Sequence, residues 1–328
     1  MTRLDAEEIW QMPKEQLLLL LENGAFSNKN QTIRFFAPSF VRYKNKFFRS
    51  SPNRFPSISV TGSSCALNCK HCNKKVLETM THALNPTELF EVCKTLKTKG
   101  AQGCLISGGC GPDGSVPLIN FVNTFKLIKT ELNLTLALHT GLVDFSVANQ
   151  LKNAGVASVL IDVIGSDETV KEIYNLDVTL DAYEKSLKAL HDSKIPFIPH
   201  VLVGLHFGQL KGEFEALKTI AKYSPSAVII IAFMPIRGTP MENVEPPEPI
   251  DIIRILVCAR LLMPNVSVVL GCMRPKGEHR KQTDVFAIKA GVDAIAFPVE
   301  EAIQTAQSMN LEMSFSSVCC SQIYELIF

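Results

Sequence analysis

The sequence predicts a (β/α)8 barrel of the TIM type, with a helical lead-in before it and a C-terminal tail after it. Three observations carry this. Eight short runs rich in β-branched residues recur from residue 57 onward, each separated from the next by a longer amphipathic stretch. The runs are continuously apolar, as parallel strands covered on both faces require. The chemically distinctive residues gather just after those runs, where such a barrel carries its active-site loops. The implied division is a helical and irregular extension over 1–55, the barrel over 56–304, and a tail over 305–328 docking on it.

In chain order, the lead-in is helical and then irregular, with Phe35, Phe36, Phe40, Phe47 and Phe48 as packing anchors. The strands are "SISVT" (57–61), "GCLIS" (103–107), "LTLAL" (134–138), "SVLIDVI" (158–164), "IPHVLVG" (198–204), "AVIIIAFMP" (227–235), "VSVVL" (266–270) and "DAIAFP" (293–298). Between them, "NPTELFEVCKTLKTKG" is representative: a start at Pro86 and Thr87, apolar residues three and four apart, and a stop at Gly100. After the strands come, in order, the cysteine loop, "SGGCG", "HTGLVD", "GSDE", "GLHFG", "MPIRGTP" and "GCMRP".

The 328 residues fit a single α/β barrel. Net charge is +1, with 46% hydrophobic and 20% charged residues, so there is no basic surface for a nucleic acid. The longest apolar runs, Leu17–Leu21 and Ala227–Pro235, are far below the roughly 20 residues of a membrane helix. Nothing at the N terminus reads as a signal peptide, and ten cysteines in a chain this long point to a reducing cytoplasm.

The loop after the first strand, "TGSSCALNCKHCNKK", holds Cys65, Cys69 and Cys72. A disulfide uses two thiols and a closed zinc site four, so three suggest a site with one coordination position left open. The alternative is a zinc knuckle that borrows His71 or His82.

This Cys-x3-Cys-x2-Cys pattern after the first strand of a βα barrel resembles the radical S-adenosylmethionine (SAM) superfamily. The resemblance implies a 4Fe-4S cluster on Cys65, Cys69 and Cys72, whose open iron is chelated by SAM and whose electron yields a 5′-deoxyadenosyl radical. It implies that His71, at a position usually aromatic, stacks near adenine; that Ser107, Gly108 and Gly109 receive the SAM amino group; and that Asp162 bonds the ribose hydroxyls. "MPIRGTPMEN" resembles the biotin-synthase branch's segment after strand six and places Met234 and Arg237 at the cofactor. Arg237 and Arg274 are expected as cations at the barrel mouth.

Cys93, Cys104 and Cys258 read as buried packing residues. Cys110, Cys272, Cys319 and Cys320 are the thiols best placed to converge on a second 4Fe-4S cluster, with the apolar tail folding back over the mouth. With "CALNCKHC" and "LGCMRPKGEHR", the terminal pair most resembles the archaeal two-component lipoyl synthases. That resemblance implies sulfur insertion into an octanoyl chain on a lipoyl carrier domain or H protein, a related radical SAM subunit as partner, and an electron donor such as ferredoxin. The rivals are a biotin-synthase-like mutase, methylase or cofactor-assembly enzyme, and a zinc-stabilised binding barrel. Biotin synthase itself carries auxiliary-cluster cysteines on strands three and five, where this chain has His139 and His200, which either line the pocket or pack as hydrogen-bonded core histidines.

Overall fold

The computed structural model describes residues 4–26, 31–39 and 41–325. Phe40, Leu326, Ile327 and Phe328, expected as packing residues, lie outside the described residues. The strands are β1 Thr32–Phe36, β2 Ser57–Ser59, β3 Thr81–His82, β4 Gly103–Ser107, β5 Thr135–His139, β6 Ser158–Asp162, β7 Phe197–Val203, β8 Ala227–Ala232, β9 Ser267–Leu270, β10 Ala294–Ala296 and β11 Glu312–Ser316. All eight expected strands are present, as β2 and β4 to β10, paired in parallel in sequence order. Every residue of β7 and β8 is buried, which is why their apolar runs show no alternation.

Local rules set the helices between them. Asn85 caps the helix Pro86–Thr98 by accepting from the Glu88 N–H, and Pro86 occupies the first turn, where its missing N–H costs nothing. Asp144 and Ser166 cap Phe145–Asn153 and Asp167–Ile173 in the same way.

The barrel is open. β10 pairs with β1 (Arg34↔Ala294), and β1 pairs with β11 (Phe35↔Phe315), so strands from both ends of the chain extend one edge of the sheet. β3 extends the other edge beyond β2, and among the described residues no ladder joins β2 to β10. Phe35, Phe48 and Phe315 pack as one aromatic group at that seam, with ring centroids 5.3 and 5.4 Å apart.

The lead-in forms helices Ala6–Gln11 and Lys14–Glu22, which lie on helix Pro249–Leu262. Leu17 and Leu21, one turn apart, are buried, while Leu19 faces solvent. Buried Arg254 donates from Nη1 to the carbonyls of Ile9 and Met12, both at 2.6 Å, and so caps the end of the first helix.

The region 305–328 differs from a single tail. Its start completes helix Glu300–Ser308, and β11 follows. Only then does the chain turn inward, and it closes the end of the barrel opposite the expected mouth. Gln322 Nε2 donates to Ser158 Oγ (3.2 Å), the Tyr324 hydroxyl to the Ala157 carbonyl (2.6 Å), and Arg34 Nη1 to the Ile323 carbonyl (2.8 Å). Ala157 and Ser158 lie at the N-terminal end of β6, so the tail plugs the floor, while Arg34 holds it from the middle of β1. Its short 3-10 turn Cys320–Gln322 packs against β6 and β10 inside the sheet.

Candidate active site

The cysteine loop follows β2 and is a run of turns with Asn68, Asn73 and Lys74 in the left-handed region. Neighbouring backbone fixes it: Ala66 N–H donates to the Cys110 carbonyl and Lys70 N–H to the Ile173 carbonyl, each at 2.8 Å. Asn175 Nδ2 reaches the carbonyls of Leu67 (3.1 Å) and Asn68 (3.0 Å), and Cys69 Sγ lies 3.6 Å from the Tyr174 carbonyl. The segment Ile173–Asn175 therefore clamps the loop. Asn175 itself has φ 52°, a conformation asparagine tolerates better than most residues.

Cys69, His71 and Cys72 bring their ligand atoms within 4.8 Å of one another. A hydrogen bond between the two thiols pushes Cys69 up and holds Cys72 down at about 4, with His71 beside Cys72 adding to the effect. His71 Nδ1 is buried without a hydrogen-bond partner, and the His71 ring tilts over Tyr174 at 5.2 Å. His82, the other proposed zinc ligand, is held instead at the Leu77 carbonyl (3.3 Å).

Gly108 and Gly109 abut the loop for a steric reason. A Cβ on Gly109 would lie 2.0 Å from the Ser64 carbonyl oxygen and 2.5 Å from Cys65 Cβ. The Gly109 N–H already donates to Thr61 Oγ1 (2.7 Å), and Ser107 Oγ to the His139 carbonyl (3.0 Å). An easily ionised thiol, a buried nitrogen without a partner and a side-chain-free cradle fit a thiolate-held iron–sulfur cluster with SAM beside it.

Asp162, at the end of β6, has both oxygens engaged by protein: Oδ1 by His139 Nε2 (3.2 Å) and Oδ2 by the Tyr174 hydroxyl (3.3 Å). Burial pushes its carboxyl up, but His139 outweighs this and holds it well below the usual carboxylate range. The same contact, against the opposing effect of burial, raises His139. His200 turns its ring edge-on to His139, with centroids 5.6 Å apart; burial and then the His139 charge lower it to about 4. Burial, and then Asp162, push Tyr174 up, so its hydroxyl stays protonated and donates. Tyr174, Asn175 and the buried cavity residue Tyr183 escape a reading by motif; the one signal is a helix end followed by asparagine.

One cavity of about 420 Å³ connects these groups. The cysteine loop, Ser107, Gly108, Gly109, Asp162 and Cys110 line it above, and Cys319 and Cys320 lie at its floor with Cys272 beside them. Burial, and then Cys319, push Cys272 up to about 11, while a bond from Cys320 lowers Cys319 to about 7. Cys110 sits with the opening loop, raised to about 12 by burial and then by Cys65. As expected, Cys93, Cys104 and Cys258 are buried away from the cavity.

Met234 and Arg237 follow β8 outside this lining, and Arg237 is exposed. Arg274 is not a cation at the mouth. It is fully buried, forked onto Asp284 (2.7 and 2.9 Å), and bonded to the Gly271 carbonyl. A buried guanidinium requires such pairing, so its work is to hold the turn that carries Cys272.

Two family patterns match the chain: the radical SAM superfamily over residues 59–219, and the biotin and thiamin synthesis associated domain over residues 230–313. Among curated proteins, the biotin synthase of Clostridioides difficile is 26% identical over 64% of this chain and 66% of its own length. The biotin synthase of Ehrlichia canis is 26% identical over 77% and 78%. The chain thus spans just under two thirds of the first relative. Among solved structures, methylornithine synthase superposes with TM-score 0.62 at 15% identity, covering 94% of this chain and 93% of that one. The FeFe-hydrogenase maturase of Carboxydothermus hydrogenoformans gives 0.64 at 15%, over 98% and 79%. At such identities these structures share the fold.

Proposed function

Because the chain belongs to the radical SAM superfamily and to its biotin-synthase-like branch, we propose that it activates an aliphatic C–H bond in the interior cavity and delivers sulfur there. The observation that carries this reading is that two cysteine groups from distant parts of the chain, Cys65, Cys69 and Cys72 on the loop after β2 and Cys319 and Cys320 near the C-terminal end, line one cavity. In this reading each group holds a 4Fe-4S cluster. The upper cluster, when bound with SAM, supplies the single electron that starts hydrogen abstraction.

The chain's own residues do the rest. The Ile173–Asn175 clamp holds the upper thiols, and the Tyr174–Asp162–His139 network fixes the upper wall. Leu105, Leu160, Leu202, Ile229 and Ile231 keep the middle dry, which protects a radical from quenching. Both carboxylate oxygens of Asp162 have protein partners, so a ribose would have to share that carboxylate with His139 and Tyr174.

The apolar middle of the cavity favours a linear alkyl substrate, and for that reason we assign an octanoyl chain on the lysine of a lipoyl carrier domain or H protein. In this finer reading a related radical SAM subunit completes the second sulfur insertion, and a ferredoxin supplies electrons. The test is anaerobic incubation of the reconstituted chain with SAM, reductant and octanoylated carrier, reading carrier mass. A gain of one sulfur is expected. SAM cleavage without any change in the carrier, alone or with the partner, transfers the assignment to a biotin-synthase-like mutase, methylase or cofactor-assembly enzyme.

A further inference from the structure

Going beyond the sulfur reading, we propose that His139, Asp162 and His200 form a mononuclear metal site in the cavity wall, a set of two histidines and one carboxylate suited to ferrous iron. One ligand atom from each of the three lies within 4.8 Å of the other two. Strand register brings them together. Asp162 and His200 are direct partners across β6 and β7, while His139 pairs with Leu160, two residues before Asp162 and so on the same face. All three side chains line the cavity. Among the described residues no lysine or arginine neutralises Asp162; its side-chain partners are His139 Nε2 at 3.2 Å and the Tyr174 hydroxyl at 3.3 Å.

The groups are also supported as metal ligands are. His200 Nδ1–H donates to the Ile198 carbonyl at 3.1 Å, which leaves the lone pair on Nε2 for an ion. The Tyr174 hydroxyl anchors Asp162 through Oδ2, which leaves Oδ1, the oxygen that meets His139 Nε2. Outer partners of this kind fix the tautomer of a ligating histidine and the orientation of a ligating carboxylate. Imidazole donors favour iron, cobalt or zinc over magnesium or calcium, and three ligands on one side leave the remaining positions open to the cavity.

On binding, the ion takes the place of the hydrogen bond between His139 and Asp162. The Nε2 proton of His139 moves to Nδ1 or to solvent, the two imidazoles and the carboxylate each donate a lone pair, and no electron is transferred. Water or a donor atom of the substrate fills the open positions. The site draws on no thiol, so it stands apart from both clusters of the reading above and does not depend on either. With Oδ1 on the ion and Oδ2 on Tyr174, Asp162 has no unshared oxygen for a ribose.

The test uses the full chain with Cys65, Cys69 and Cys72 all changed to alanine, which removes the thiols of the opening loop as rivals, and titrates it anaerobically with Co(II) alone. Cobalt binds such donors at least as well as ferrous iron and reports its ligands by colour. Expected is a single tightly held cobalt with weak visible d–d bands, no thiolate charge-transfer band in the near ultraviolet, and a raised Tm. In the same background His139→Gln, His200→Gln and Asp162→Asn, each close in size to the original, lose the bands and the rise in Tm. Tyr174→Phe weakens binding by about 10- to 100-fold, as loss of an outer partner does. His206→Ala, in the separate group of Glu168, Glu172 and His206, keeps the bands. No retained cobalt in the parent would refute the site, as would an intense charge-transfer band, which places the ion on thiols. Bands that persist in both His200→Gln and Asp162→Asn, or that vanish in His206→Ala, would refute it equally.

Discussion

Asn175 does two separable things: it adopts a left-handed turn and it ties down two carbonyls of the cysteine loop. Asn175→Gly keeps the turn and removes the ties, whereas Asn175→Ala removes both. We expect each to lower iron retention after gel filtration, with Asn175→Ala also about 1–2 kcal/mol less stable from the lost bonds and the strained backbone. Equal retention in wild type and both variants would mean that the clamp is dispensable. Glu213 gives a pH prediction. Burial raises its carboxyl to about 7, although the N–H groups of Gly204 and Lys211 oppose this. A carboxyl raised above its unfolded value of 4.5 stabilises fully below that value, and the contribution is lost as pH rises through about 7. At about 1.4 kcal/mol per unit, the chain should lose about 3.5 kcal/mol across that window. The difference in Tm between wild type and Glu213→Gln, followed against pH, should carry that slope; a flat difference would refute it. The three opening cysteines were legible because their spacing alone implies an open coordination site. Asn175 and Tyr174 were not, since their value lies in contacts with a loop about a hundred residues earlier in the chain. Arg274 was misread because a sequence shows a charge but not the Asp284 that buries it.

Among the elements, the eight core strands could be read because burial on both faces leaves a continuous apolar signature. β1, β3 and β11 could not. β3 has two exposed residues, β11 is half-exposed along its length, and "TIRFF" carries an arginine mid-strand whose partner is a backbone carbonyl near the far end of the chain. The direction of the tail was equally hidden, because an apolar terminus announces burial without saying at which end. The lead-in helices give a test at this scale. Arg254→Met would take the guanidinium from the carbonyls of Ile9, Trp10 and Met12; Ile9 keeps the Met12 N–H at 3.3 Å, so the cost falls mainly on the Met12 carbonyl, at about 1–3 kcal/mol. Limited proteolysis should then cut within residues 4–22 well below the global Tm, while iron content stays unchanged. Cleavage no faster than in wild type would show that the helices dock without this cap.

For the whole molecule, the two cysteine groups belong to different parts of the architecture, one on a loop after an early strand and one on a segment plugging the floor. Loss of Tyr324 anchoring should therefore affect them unequally. Tyr324→Phe removes the 2.6 Å bond to the Ala157 carbonyl, and we expect it to loosen the floor and lower second-site iron while SAM cleavage persists. Parallel loss of both clusters would contradict this. The seam at β1 also has a consequence in time. β1 is among the first strands to leave the ribosome, yet both of its hydrogen-bonding neighbours, β10 and β11, are among the last. Until they emerge, the aromatic face of β1 has no sheet to join, and pairing strands so distant in sequence is intrinsically slow. The nascent chain must therefore carry an unfinished edge through most of its synthesis, exposed to wrong partners and to chaperones. Cys319 and Cys320 follow β11, so the three thiols of the opening loop are made long before the tail pair that lines the same cavity.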